Sequence, residues 1–464
     1  MLFNSLLFLG AFLPAALLVY WLVPPGRARL LVLVAASLVF YGWWDWRYVP
    51  LMLLSTGIDW VAGEALARGG GRRARRAVLA LALAVDLGLL AYFKYRGFFL
   101  ESLAGLGGWL GVEAPSASAR FVLPVGISFY TFNGMAYAID AYRDPARRAP
   151  DWTSFAAFVA MFPSLLAGPI LRWADVGEQL DRLPRRLPAA LAAGGLTFLA
   201  LGLAKKLLVA DLLAPFVDDL FAASGDLGLA GAWAATAGYA LQLYFDFSGY
   251  SDMAVGLGLL LGVRLPQNFA SPYKAESIGQ FWRSWHISLS SWFRDYVYIP
   301  LGGSRRGLSR TLFNLLVVMA LVGLWHGPAW TYVLWGVLHG GLLVADRVWR
   351  RSGVRLWPWL ARAVTFAAVL AAWAVFRATS LEQAGEVLAA MAGAHGVAAR
   401  SAAAAVPPAF AALLLAGLLW VNLAPNTWEL HIRPRVAWAV AVGLLLGVAV
   451  LAISDPQPFV YLRF

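Results

Sequence analysis

Cysteine is absent from the 464-residue chain. That excludes disulfides, thiolate metal ligands, a cysteine nucleophile and palmitoylation of the protein itself. Charge is scarce: 13% of residues are charged and 61% hydrophobic, with a mean hydropathy of +0.68. An ordinary soluble domain with a polar exterior is excluded by that balance. No polar linker longer than a short loop separates the apolar stretches, so residues 1–464 read as one integral membrane domain. The hydropathy pattern is not duplicated, which removes support for an inverted-repeat transporter. The opening MLFNSLLFLGAFLPAALLVYWLVPP lacks a basic n-region and a small-residue cleavage site, and is expected to be a first membrane helix.

What is present is a series of apolar stretches near the length that crosses a bilayer as a helix. They lie around 6–23, 30–48, 77–93, 121–141, 187–204, 227–245, 405–424 and 436–453, with shorter ones near 50–66, 153–171, 311–325, 329–345 and 357–376. The expected fold is an all-α polytopic membrane protein of roughly 11–13 membrane-embedded helices, some re-entrant or short. The net charge of +12 comes largely from arginine groups between these stretches, at 72–76, 182–186, 305–310 and 347–351. Such placement matches the positive-inside rule better than nucleic-acid binding, which is not expected. Counting spans from these clusters puts the start of the chain outside, and the tail 454–464 outside as well.

Polar residues concentrate between about 239 and 340, in three pieces. In YALQLYFDFSGYSDMAVGLGLLLG, Asp246 and Asp252 sit among apolar neighbours. A carboxylate at mid-bilayer costs at least ~2.5 kcal/mol. Either these acids face a substrate cavity, or they satisfy backbone donors freed where Ser248, Gly249 and Ser251 break the helix. In IGQFWRSWHISLSSWFRDYVYIPLGGSRRG, residues Trp282, Trp285, Leu289, Trp292 and Phe293 recur at helical spacing beside Arg283, His286, Arg294 and Asp295. An amphipathic interfacial helix is expected, whose Arg294, Arg305 and Arg306 either dock a phosphate-bearing donor or anchor lipid headgroups. In NLLVVMALVGLWHGPAWTYVLWGVLHGGLLVADR, Gly327 and Pro328 mark the tip of a hairpin of two half-length arms. That would hold His326 near mid-membrane, enclosed by Trp325, Trp330 and neighbouring helices.

A neutral imidazole accepts a hydroxyl proton and later returns it, so His326 suits a general base. Acyl transfer from a thioester to an alcohol needs this proton handling, an oxyanion stabiliser and the exclusion of water. A metal site on His286, His326 and His339 is not favoured, because the spacings form no compact ligand motif. His339 reads instead as a packing residue. In the tail SDPQPFVYLRF, Tyr461 is either part of an aromatic belt or a phenol able to carry an acyl group as an ester.

The motifs YFDFSGYSDMAVGLG, NFASPYKAESIGQFWRSWHISLSSWFRDYVYIPLGG and GLWHGPAWTYVLWGVLHG occur in this order, with MLFNSLLFL and LPVGISFYTF before them. With these the chain resembles the bacterial membrane-bound O-acyltransferase family, especially its alginate O-acetyltransferase branch, over nearly its whole length. The stretch 380–410 does not share in the match. The resemblance implies a ring of membrane helices around a central funnel, in the cell inner membrane. It implies catalysis by His326 with His286 beside it, and Tyr461 as an acyl relay. Trp285, Trp325, Asp246, Asp252, Arg294, Arg305 and Arg306 are then candidate contacts for substrate or donor. The implied donor is a cytosolic acyl thioester, acetyl-CoA, with no bound cofactor. The implied acceptor is an extracytoplasmic polysaccharide, reached directly or through a separate acetyltransferase. D-alanyl transfer to a wall polymer, lipid acylation, and a transporter or polysaccharide-export role are the alternatives.

Overall fold

In an apolar medium every backbone N–H and C=O must find its partner within the segment, which leaves the helix as the local solution for an apolar chain. The computed structural model follows that rule. It describes residues 1–109, 123–401, 404–432, 435–454 and 456–460, and among these the regular structure is helical with no strand. Polarity is inverted relative to a soluble protein. Arg29, Asp59, Asp86, Asp246, His286 and His339 are all within 1% of complete burial, whereas Leu423, Val436 and Leu451 are 77–87% exposed. This is the surface of a membrane protein.

The chain packs as two compact units. The first comprises Met1–Gly195 and Ala254–Pro266. Its helices are α1 (Leu13–Leu22), α2 (Arg27–Asp45), α3 (Val49–Ala67), α4 (Arg72–Leu90), α5 (Arg96–Trp109), α6 (Ile127–Arg143), α7 (Trp152–Ala160), α8 (Phe162–Leu165) and α9 (Trp173–Asp181). Arg29 shows how this unit accommodates charge. Its guanidinium donates to the carbonyls of Val23, Pro184 and Arg185 and lies over the rings of Tyr20 and Trp21.

The second unit comprises Leu196–Met253 and Gln267–Phe464. The helices that supply it are α10 (Ala189–Lys205), α11 (Asp211–Ala222), α12 (Leu229–Leu260), α13 (Ile278–Ser284), α14 (Ile287–Phe293), α15 (Gly307–His326), α16 (Trp330–Trp349), α17 (Pro358–Arg377), α18 (Leu381–Met391), α19 (Pro408–Leu423) and α20 (Val436–Leu451). Among the described residues, four stretches are fit by length and composition to cross a membrane: Arg27–Ala67, Arg72–Gly107, Gly307–His326 and Pro358–Arg377. Shorter apolar helices are Phe8–Leu22, Pro408–Leu423 and Val436–Leu451.

Three sequence expectations need correction. First, α12 runs unbroken for 32 residues through Ser248, Gly249 and Ser251. Gly249 marks a close crossing instead: a Cβ there would lie 2.7 Å from the Gly202 carbonyl oxygen, so the glycine serves packing between α10 and α12. Second, the segment from 278 is no single amphipathic helix. It divides at Trp285 and His286 into α13 and α14, and Trp282, Trp285, Leu289, Trp292 and Phe293 are all buried within the unit. Third, the arms of the hairpin around His326 are not half-length. Helices α15 and α16 have 20 residues each, or about 30 Å at 1.5 Å per residue.

Small residues hold those arms together. A Cβ on Gly323 would clash with the Tyr332 carbonyl, and one on Gly336 with the Met319 carbonyl, while Gly341 on the same helix has nothing within 4 Å. Gly336→Ala is therefore expected to destabilise the protein by ~1–3 kcal/mol through overpacking. Gly341→Ala is expected to leave stability unchanged. Thermal unfolding in detergent checks both, and equal melting of the two variants would contradict the close approach.

Candidate active site

His326 is the last residue of α15. Gly327 follows with extended backbone, and a Cβ at that position would run into the Tyr332 ring, so only glycine lets the chain turn here. Ala329 donates its N–H to the Gly327 carbonyl at 3.0 Å, closing a short connection into α16. His326 is 5% exposed, whereas Trp330, expected to help enclose it, is 55% exposed. Trp325, Trp335 of α16 and Phe376 of α17 surround the His326 ring edge to face, at 5.1, 5.0 and 5.3 Å between centroids.

His286 occupies the break between α13 and α14 in a left-handed conformation, φ 44°. For a non-glycine residue this conformation is strained and persists only where its surroundings impose it. Asn268 does the imposing. Its Oδ1 accepts from the Ser288 N–H at 3.2 Å and the Ser288 hydroxyl at 2.9 Å, and lies 3.1 Å from His286 Nδ1. Its amide nitrogen donates to Ser251 Oγ at 3.2 Å, and its backbone carbonyl accepts from Ile287. Because a backbone N–H can only donate, the atom facing His286 is an acceptor oxygen, so Nδ1 carries the proton and Nε2 the lone pair. The ring meets Phe247 at 4.7 Å and Trp325 at 5.9 Å. Trp325 thus touches both imidazoles, and the structure brings His286, Trp325 and His326 into one cluster.

His339, fully buried, accepts from the Trp282 indole N–H at Nδ1 and stacks on Phe281, which fits the packing role read from sequence. Among the described residues no three His, Asp or Glu side chains gather in a way that would hold a metal ion. Trp285 is 2% exposed and packed against Trp373, Phe269 and Phe281. It lines neither of the two openings described below.

Asp246 and Asp252 have partners that the sequence reading missed. Lys206 Nζ lies 2.7 Å from Asp246 and 2.8 Å from Asp211, and Lys205 Nζ lies 2.6 Å from Asp252. The Thr427 hydroxyl donates to Asp252 at 2.6 Å. Removing one partner from such a buried pair typically costs 3–5 kcal/mol. The acids are accordingly structural ion-pair partners. The available signal was numerical: two lysines ending one apolar stretch and two aspartates inside the next call for pairing.

A groove of about 230 Å3 opens along α13 to α15, walled by Trp282, Leu289, Phe293, Met319 and Val322, with Arg294 at its edge. Val322 lies one helical turn before His326. Tyr298, Leu315 and Leu343 line both this groove and a polar recess of about 170 Å3 formed by Arg283, Asp346, Arg347 and Arg350. Arg294 is locked to Asp295 at 2.6 Å and stays exposed. Arg305 and Arg306 occupy an exposed turn, with the Arg306 stem against Gly302, and line neither opening. Arg283, Arg347 and Arg350 were not singled out as donor contacts from sequence, because spacing alone does not reveal which loop arginines converge. Tyr461 lies outside the described residues.

The sequence matches known proteins. Residues 136–379 match the family model described as MBOAT, membrane-bound O-acyltransferase family. A probable alginate O-acetylase of Azotobacter vinelandii is 43% identical over 396 residues, covering 84% of this chain and 78% of the relative. The corresponding Pseudomonas aeruginosa protein is 42% identical over 400 residues, covering 84% and 75%. A peptidoglycan O-acetyltransferase of Helicobacter pylori is 36% identical over 430 residues, covering 86% and 81%. Matched by that model across its middle and by these relatives over most of its length, the chain belongs to the membrane-bound O-acyltransferase family and is an O-acyltransferase.

Proposed function

We propose that the protein transfers an acetyl group from a cytosolic thioester, acetyl-CoA, across the cell inner membrane for O-acetylation of an extracytoplasmic polysaccharide. The single observation that carries this reading is the enclosed pair of imidazoles, His286 and His326, meeting at Trp325 beside a groove with an arginine-rich mouth. The named relatives act on alginate and peptidoglycan, and the shared substrate class is polysaccharide.

In this reading phosphates of the donor sit in the recess of Arg283, Arg347 and Arg350, and the acyl arm runs along the apolar groove towards Val322. His326 takes the proton of the attacking hydroxyl, whose oxygen bonds to the thioester carbonyl carbon. The tetrahedral intermediate collapses, the C–S bond breaks, and the imidazolium returns its proton to the leaving thiolate. The products are an ester and a free thiol. His286, with its lone pair on Nε2, assists by accepting or relaying a proton, while the packed aromatics exclude competing water. Tyr461 is the first acceptor, and a separate extracytoplasmic acetyltransferase takes the acetyl group onward to the polymer.

Two expectations follow. His326→Ala, expressed at parental level, lowers O-acetylation of the polymer by about 10²–10⁴-fold, the range of general acid–base catalysis; colorimetric or NMR ester content near the parental value would refute the assignment. Arg347→Ala raises the KM for acetyl-CoA about tenfold with little change in kcat, as expected for loss of a charge-assisted phosphate contact. Arg305→Ala leaves KM unchanged, and steady-state thiol release in detergent measures both.

A further inference from the structure

Residues 458–460 are seated inside the second unit by ions that the acyl-transfer step does not use. Phe459 is 1% and Val460 9% exposed. The Val460 N–H donates to Asp246 Oδ2 at 3.0 Å, and Asp246 Oδ1 accepts from Lys206 at 2.7 Å. Lys206 has three ammonium hydrogens, and three acceptors stand around it: Asp246, Asp211 and, at 3.4 Å, the Pro458 carbonyl. The same ammonium lies 4.9 Å from the centre of the Phe459 ring, whose edge meets Tyr250 at 4.6 Å. Segment 458–460 meets this ion pair through the Val460 N–H and the Pro458 carbonyl.

We propose that Lys206, Asp246 and Asp211 form a latch for the tail, and that the ion pair positions Tyr461 for acylation by docking the three residues before it. The positioning role rests on the relay reading given above; the docking does not. Lys206 and Asp246 are positioning residues in this account and touch no reacting atom. The latch holds the tail by its main chain at Val460 and Pro458 and by the ring of Phe459. It therefore requires an aromatic residue two positions before the acceptor tyrosine and an unblocked N–H immediately before it.

Hydrogen exchange and acyl-peptide mass spectrometry on the same full-length protein in detergent test both parts. The double variant Lys206→Met with Asp246→Leu removes both charges together, which buried pairs tolerate better than loss of one. It is expected to speed exchange of the amides of Phe459 and Val460 at least tenfold, to reduce acetyl-Tyr461 at least tenfold, and to leave exchange in α15 and α16 at the parental rate. Val460→Pro deletes the donor without altering the helices and is expected to give the same loss of acetyl-tyrosine. Val460→Ala keeps the N–H and is expected to keep the segment protected. Unchanged exchange in the double variant would overturn the latch, and normal acetyl-tyrosine in Val460→Pro would overturn its positioning role. Protection lost in the double variant, with no acetyl-tyrosine even in the parent, would uphold the docking and defeat the relay instead.

Discussion

The structure depends on one constraint: in a chain this apolar, a buried polar group or charge is costly unless another part of the same chain pairs with it. That requirement selects positions more sharply than apolar packing does, because an unpaired donor or acceptor costs roughly 1–3 kcal/mol and an unpaired charge more. Asn268 satisfies Ser288, orients His286 and reaches Ser251 on α12. Lys205 and Lys206, adjacent in sequence, take separate aspartates six residues apart on α12. Arg29 meets its requirement with three backbone carbonyls. These contacts fix registers that interchangeable leucines and alanines leave open.

The same constraint shapes the chemistry. An imidazole exposed to water is an indifferent base for acyl transfer, because hydrolysis competes. In the proposed mechanism, one enclosed by Trp325, Trp335 and Phe376 acts only on what is delivered to it. The enclosure depends on glycine, since Gly323 and Gly336 let α15 and α16 approach backbone to backbone and Gly327 makes the turn beside the ring. The strained backbone of His286 is a second investment at this place, held by a single asparagine.

Much of the fold was legible in the sequence because long apolar stretches can only become helices in lipid. The hairpin tip at Gly327 and Pro328, and the enclosure of His326, were readable from motifs, whereas His286 was expected on the polar side of an interfacial helix and is instead fully buried. Helix continuity was not legible either. Ser248, Gly249 and Ser251 look like a break, yet they permit a close crossing with α10, and only the neighbour at Gly202 reveals it. The division of α13 from α14 was hidden for a related reason, since Asn268, far along the chain, supplies the bonds that impose it. The pairing of Asp246 and Asp252 was missed because both lysines sit where an apolar stretch ends and read as boundary charges. Helix α18, in a stretch too bland for any motif, carries an N-cap at Ser380 that marks its start.

The central claim is that acyl transfer takes place at the imidazole pair meeting at Trp325. Its most direct test is a structure of the protein bound to a non-reactive thioether analogue of acetyl-CoA. The account expects the acetyl carbonyl at the cluster, close enough for a hydroxyl attacking it to lie about 3 Å from a His326 ring nitrogen, and phosphate density against Arg283, Arg347 and Arg350. An analogue bound with its acetyl group remote from both histidines would contradict it.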